Sequence, residues 1–129
     1  MTGELTVRVR AVPEAVVVAA AGDLDLGTAP VLRARARAVL ADRPEALIVD
    51  LDDVGFCGSA GLQVLAELAA QTADGGVPLA VVAGRYPVVR VVRLSRLDEA
   101  LALHASMDDA RAWIRRQPDA EPPRPATAD

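Results

Sequence analysis

Short apolar runs alternate along this chain with segments whose apolar residues recur at helical spacing. The clearest run is residues 46–51, which is largely apolar and partly β-branched, and Leu65, Leu68 and Thr72 recur every three or four residues behind it. A short continuous run of this kind is typical of a strand covered on both faces of a sheet. Because parallel strands are joined by helical crossovers, the alternation predicts an α/β domain with a mainly parallel sheet.

The same pattern places the other elements. Residues 5–11 alternate apolar and polar side chains, which is typical of a half-buried or edge strand. Further strands are predicted at residues 16–21, 77–83 and 100–104. Helices are predicted to begin at the candidate N-caps Thr28 and Ser106. Residues 88–94 are ambiguous, because their β-branched side chains favour a strand, while a helix would lose only tenths of a kcal/mol, roughly, per position.

Length and composition indicate one domain followed by a tail. A chain of 129 residues with 52% hydrophobic residues can bury one core. We assign residues 1–116 to that domain. Residues 117–129 are rich in proline and carry almost no large apolar side chain, so they are predicted to form a disordered tail.

Charge and residue types argue against several classes of partner. The net charge is −4, and the 14 basic residues, all arginine, are dispersed among 18 acidic ones, whereas binding a phosphate backbone needs a concentrated basic patch. Only three residues are aromatic, too few to stack bases. No nucleic-acid partner is therefore expected. The single cysteine, Cys57, excludes an intramolecular disulfide and fits a reducing compartment. The longest apolar run, residues 15–21, is too short to cross a bilayer, and no signal peptide precedes the first predicted strand. We therefore expect a cytoplasmic, soluble protein without direct membrane insertion.

Ser59 lies where the strand at residues 46–51 gives way to the following helix. In structural terms, a serine at a helix start can cap unpaired backbone N–H groups, which is worth about 1 kcal/mol. In functional terms, the same position favours an anion, so Ser59 could carry a phosphate. The sequence leaves both interpretations open.

No motif around Ser59 indicates an enzyme. The nearby glycines recur every third residue, which matches neither a dinucleotide-binding motif nor a P-loop, and the chain has no lysine to reach a phosphate. Cys57 stands where a nucleophile elbow needs glycine, and His104 is the only histidine available as a base. We expect no catalytic activity and no cofactor, and we interpret Cys57 as a small apolar filler.

Two groups of aspartates follow the predicted strands. Asp50, Asp52 and Asp53 could suggest a cation site, but their spacing and the lack of a second cluster favour a role in capping the end of the strand. Asp23 and Asp25 could do likewise. No metal site is predicted.

Four segments, taken together in their order and spacing, resemble a known family. Residues 54–62 read VGFCGSAGL, an apolar strand-to-helix loop with a serine, a glycine and a leucine, and the others are residues 22–30, 88–98 and 106–110. These segments resemble the signature of STAS domains, the anti-sigma-factor antagonists. The resemblance spans roughly residues 5–116. It implies a mixed sheet of four to five strands with an antiparallel first strand, about four helices largely on one face, and a helix at residues 88–94.

The resemblance also implies a function. It identifies the chain as a non-enzymatic antagonist that binds an anti-sigma factor with a histidine-kinase-type ATPase fold and so releases a sigma factor. A PP2C-type phosphatase is a further implied partner. Ser59 aligns with the serine that the family's kinases modify. The implied partner-binding patch consists of Asp23, Asp25, Gly58, Ser59, Ala60, Gln63 and Glu67.

The chain departs from the family pattern on both sides of Ser59. Gly58 stands in place of an aspartate, and Ala60 replaces a second hydroxyl residue. The acidic group that helps partners recognise the serine is therefore missing. The alternatives are a phosphorylation-independent STAS scaffold or transporter-associated subunit, which this loss favours, and a small-anion or nucleotide binder at the helix start, which the missing lysine disfavours.

Overall fold

A computed structural model describes residues 4–118. The strands are β1 (Leu5–Val12), β2 (Ala15–Leu24), β3 (Leu47–Cys57), β4 (Leu79–Val82) and β5 (Leu103–His104). The helices are α1 (Ala29–Ala41), α2 (Ser59–Gly75), α3 (Tyr86–Leu94) and α4 (Met107–Arg116). Most of the predicted disordered tail, residues 119–129, lies outside the described residues.

The strands form one mixed sheet in the order β1-β2-β3-β4-β5. The pair β1 and β2 is antiparallel, and the pairs β2–β3, β3–β4 and β4–β5 are parallel. The α/β class, the antiparallel first strand and the mainly parallel sheet are thereby confirmed. As predicted, β1 is an edge strand whose Thr6, Arg8 and Arg10 are exposed.

Both faces of the sheet are covered, but unequally. On one face, Val18 and Val49 pack in a core with buried residues of α1, α2 and α3. On the other face, Val17 and Ile48 pack against Ile114 and its neighbours on α4. Successive residues of a strand point to opposite faces, so the continuous apolar runs are what a sheet covered on both sides requires. Three of the four helices thus lie on one face, as the family resemblance implied.

The ambiguous residues 88–94 are part of helix α3. Val88 and Val92, one helical turn apart, are fully buried in the larger core. Burying a valine stabilises a fold by about 1.5–3 kcal/mol, which outweighs the small helix penalty of a β-branched side chain. Packing therefore decides against the local strand propensity.

Strand boundaries were predicted less well than strand order, and the largest errors concern β3 and β5. Strand β3 continues to Cys57, beyond residue 51, because it follows β2 through two register irregularities and still buries Val54 and Cys57. The last strand was expected at residues 100–104, but β5 covers only Leu103 and His104. The chain before it turns back on itself, since the Leu101 N–H donates to the Leu97 carbonyl (2.9 Å).

Ser106 is confirmed as the N-cap of α4, because its Oγ accepts a hydrogen bond from the Asp109 N–H at 3.1 Å. Helix α4 is also tied to the β1–β2 turn, where Glu14 accepts from Arg111 (2.8 Å) and Arg115 (2.7 Å). These two arginines lower the Glu14 pKa from 4.5 to about 2. Among residues 4–118, no helix is both long and apolar enough to cross a membrane.

Candidate functional site

The candidate site lies at the edge of the sheet where β2 and β3 end. Asp23 is paired with Phe56 and Leu24 with Cys57 in the parallel register of these strands. Immediately after β3, the Gly58 N–H donates to the Leu24 carbonyl at 2.9 Å. The β2–α1 loop and the start of α2 are therefore held side by side.

Hydrogen bonds between Asp25 and Thr28 order the β2–α1 loop. The Asp25 carboxylate accepts from the Thr28 N–H (3.0 Å), and the Thr28 hydroxyl accepts in return from the Asp25 N–H (2.9 Å). The Thr28 hydroxyl donates to the Asp23 carbonyl at 2.7 Å. Thr28 is the N-cap residue of α1, as predicted, but its side chain makes no hydrogen bond to the N–H groups of that helix. Its hydroxyl instead bonds back to Asp25, which completes the reciprocal pair of hydrogen bonds.

Ser59 is the first residue of α2 and is exposed. Its N-cap neighbour is Gly58, which has an extended backbone (φ −89°, ψ −176°), and no side chain caps the helix. The interpretation of Ser59 as a cap was therefore wrong. A cap residue must be extended so that its side chain can turn back to the helix, whereas Ser59 already has its place in the first turn. Its hydroxyl is left open to solvent and makes no hydrogen bond within residues 4–118.

The start of α2 packs directly on the end of β2. A Cβ added to Gly61 would lie only 2.6 Å from Leu24 Cγ and 3.0 Å from Cys57 Sγ. Leu24 is fully buried, so glycine is the residue that permits this approach. Burial raises the Cys57 pKa to about 11, which keeps its thiol protonated at neutral pH and agrees with its role as a filler. The packing role of Gly61 could not be predicted from the sequence, because its contact with Leu24 joins segments distant in the chain.

The remaining predicted patch residues lie along α2. Ala60 is partly buried and Gln63 is exposed, and both lie within the first two turns beside Ser59. Glu67 is one turn further on and pairs with Arg33 of α1 (Nε to Oε2, 3.0 Å), so its carboxylate is engaged within the domain. Residues 60, 63 and 67 follow helical spacing and share one face of α2. Six of the seven predicted residues thus cluster around the helix start, and Glu67 lies at the margin of the cluster.

Two exposed apolar side chains flank this cluster and were missed by sequence reasoning. Phe56 is 52% exposed and Leu26 is 83% exposed. Phe56 precedes the buried Cys57 near the end of β3, and strand alternation therefore turns it outward. Leu26 follows Asp25 in the β2–α1 loop. Large apolar groups left in water beside a polar cluster are typical of a surface that contacts another protein.

Two of the three aspartates at residues 50–53, Asp50 and Asp52, accept hydrogen bonds from backbone groups. Asp50 Oδ1 accepts from the Asp52 N–H at 2.9 Å, and Asp52 Oδ1 accepts from the Gly84 N–H at 3.2 Å. Because β3 continues to Cys57, these aspartates lie within the strand, and the prediction that they cap its end was wrong. Asp52 instead ties β3 to the chain that follows β4. Across residues 4–118, no group of three or more histidine, cysteine, aspartate or glutamate residues could hold a metal ion. His104 packs on Trp113 of α4, with ring centroids 5.6 Å apart.

Comparisons with known proteins point to one family. A family model described as "Mlab, STAS domain" matches residues 7–105. A curated relative, the anti-sigma-F factor antagonist RsfB of Mycobacterium tuberculosis, is 36% identical over 94 residues, which cover 73% of this chain and 76% of that protein.

Solved structures show the same fold. An anti-sigma factor antagonist from Mycobacterium paratuberculosis superposes with a TM-score of 0.82 at 35% identity, covering 87% of this chain and 95% of that one. The unphosphorylated anti-sigma factor antagonist SpoIIAA has a TM-score of 0.71 at 16% identity, covering 88% of this chain and 99% of that one. At that identity SpoIIAA supports the fold alone.

Proposed function

Since this chain belongs to the STAS-domain family, we propose that it is an anti-sigma factor antagonist: it binds an anti-sigma factor and thereby releases a sigma factor. Two similar proteins, RsfB and the Mycobacterium paratuberculosis protein, are anti-sigma factor antagonists, which supports this role. The action is a protein–protein contact rather than a reaction. It implies a cytoplasmic location, where sigma factors act.

The observation that carries the proposal is the exposed Ser59 at the start of α2, beside Asp23, Asp25 and two exposed apolar side chains. We propose that this cluster docks on an anti-sigma factor with a histidine-kinase-type ATPase fold. The apolar groups would supply buried area, and the polar groups would set orientation. An unbonded, exposed hydroxyl is accessible to a kinase active site.

Phosphorylation of Ser59 would regulate docking through charge. A phosphate carries about −1.5 to −2 charge at pH 7 and would lie at a helix N-terminus, which tolerates negative charge. The helix itself would therefore stay folded. The same phosphate next to Asp23 and Asp25 would concentrate like charge on the docking surface, so each ~1.4 kcal/mol of penalty would weaken binding tenfold. A PP2C-type phosphatase would reverse the modification.

A phosphorylation-independent scaffold is the second candidate, and Gly58 and Ala60 favour it. Such a protein would bind its partner through the same surface but would not be modified by it. In that case partner binding would not depend on incubation with ATP.

The test measures binding of purified variants to the anti-sigma factor by calorimetry. We expect Ser59→Ala to keep the wild-type affinity and Ser59→Glu to weaken it at least tenfold. Ala73→Glu is the matched control, because it adds the same charge to an exposed position of α2 about 21 Å along the helix. If Ser59→Glu binds as tightly as Ala73→Glu, the docking surface lies elsewhere and the switch mechanism fails.

A further inference from the structure

Helix α3 presents an outward face that the proposed docking cluster does not include. Val88 and Val92 on its inner side are buried in the core. The opposite side carries Tyr86 and Leu94, each 70% exposed, together with exposed arginines at positions 90 and 93. Positions 86, 90, 93 and 94 follow the spacing of one helical face, so they form a continuous stripe. We call this stripe the α3 face.

The α3 face is basic on a protein that is acidic overall. Arg85 and Arg96 extend the positive charge of Arg90 and Arg93 at the two ends of the helix, and all four side chains are exposed. Among residues 4–118, ion pairs involve only the three arginines at positions 33, 111 and 115, so none of these four is neutralised by a carboxylate. Residues 85–96 contain no aspartate or glutamate, so this surface is locally positive although the whole chain has a net charge of −4.

The α3 face begins at the same edge of the sheet as Ser59. The Gly84 N–H donates to Asp52 Oδ1, which anchors the start of α3 to the last part of β3. A Cβ added to Gly55, also in β3, would lie 4.0 Å from the Arg85 guanidinium. A partner seated on Ser59 and Phe56 therefore has Arg85, the residue before α3, at its border.

We propose that the α3 face is a second docking surface and binds an acidic segment, bearing apolar side chains, of the same anti-sigma factor. The inference rests on the proposed function, because it assigns the face to that partner. Arginine forms bidentate hydrogen bonds with carboxylates, and Tyr86 and Leu94 offer apolar contact area beside the arginines. The opposite charges of the α3 face and the acidic segment would also accelerate the docking of one on the other.

The arrangement favours a protein over a membrane. An interfacial helix inserts its apolar side into lipid, but the apolar side of α3 is occupied by the packing of Val88 and Val92. The helix is also only 9 residues long.

The test compares three variants of the full chain with wild type by measuring affinity for the anti-sigma factor at two salt concentrations. Arg90→Glu with Arg93→Glu reverses two charges at exposed helical positions and should weaken binding about tenfold and flatten its salt dependence. Leu94→Gln should weaken binding several-fold without changing the salt dependence. Arg35→Glu with Arg37→Glu, at two exposed positions of α1, is the matched charge control and should stay within twofold of wild type.

The outcomes separate this inference from the proposed function. If Ser59→Glu weakens binding but the α3 double variant matches the α1 control, the α3 face is not a docking surface and the proposed function stands. If the wild-type protein does not bind the anti-sigma factor, the proposed function fails, and the inference about the α3 face fails with it. The α3 double variant could also keep its affinity for the anti-sigma factor but lose binding to phosphatidylglycerol vesicles, which would assign the face to a membrane. If it instead loses self-association in sedimentation, the face binds a second copy of the chain. Either result would overturn the inference.

Discussion

Replacing Gly61 by alanine should destabilise the protein, although alanine is the better helix former. The added Cβ would lie 2.6 Å and 2.8 Å from two carbons of Leu24, about 1 Å inside the usual carbon–carbon contact. Leu24 is fully buried and cannot rotate into solvent. Overpacking a core by one methyl group costs about 1–3 kcal/mol, whereas alanine in place of glycine regains at most about 1 kcal/mol in a helix. We therefore expect a net loss of up to about 2 kcal/mol in the free energy of unfolding.

Urea unfolding of a double-mutant cycle tests the mechanism. Leu24→Ala alone should cost about 2–5 kcal/mol through the cavity it leaves. In that background, Gly61→Ala should be neutral or stabilising, because its clash partner has gone, which gives a coupling energy of about 1–3 kcal/mol. Gly75→Ala is the control within the same helix, since a Cβ there meets only Val77 Cγ2 at 3.9 Å. A Gly61→Ala protein as stable as Gly75→Ala, with no coupling to Leu24, would refute the argument.

Three other predictions follow from the structure and the sequence. Glu14→Gln should lower the free energy of unfolding at pH 7, because it removes the carboxylate that pairs with two arginines. The difference from wild type should shrink as the pH falls from 4.5 to about 2, since the wild-type carboxylate becomes protonated over that range. Thermal unfolding at a series of pH values measures this. Gly58→Asp should fold, because the backbone of Gly58 is extended and an added Cβ would meet only the exposed Phe56 ring, at 3.2 Å, as its nearest neighbour. This variant should raise the rate at which the cognate kinase phosphorylates Ser59. An unchanged rate in a folded variant would show that the kinase does not need an acidic residue before the serine. Deleting residues 119–129 should leave the melting temperature and the partner affinity unchanged, because this segment has no large apolar side chain to bury, and a drop of several degrees would contradict this.

The order of the elements could be predicted from local pattern. Continuous apolar runs predicted the buried strands β2, β3 and β4, and the helical spacing of Leu65, Leu68 and Thr72 predicted the inner side of α2, where all three are buried. The cap of α4 was also predictable, because a serine and an aspartate three residues apart form their bond within a single turn. These features depend on neighbours close in the chain, so their information is present in short windows of sequence.

The position of Ser59 at the start of α2 could not be predicted to the residue. Whether a serine is the cap or the first helical residue depends on where the preceding strand stops. That point is set by the pairing of Leu24 with Cys57 and by the Gly58–Leu24 hydrogen bond, which join segments distant in sequence. A shift of one residue converts a capping hydroxyl into an exposed one.

The sequence by itself determined the class of the fold, the register of apolar side chains on each element, and the family signature around Ser59. Only the tertiary structure decided that Val88 and Val92 make α3 a helix rather than a strand, that Phe56 remains exposed, and that the arginines of α3 form one surface. The physical reason is that local propensities differ by tenths of a kcal/mol per residue, roughly, whereas burying one large side chain is worth several times more. Which side chains are buried depends on contacts between elements far apart in the chain, and those contacts exist only in the folded domain.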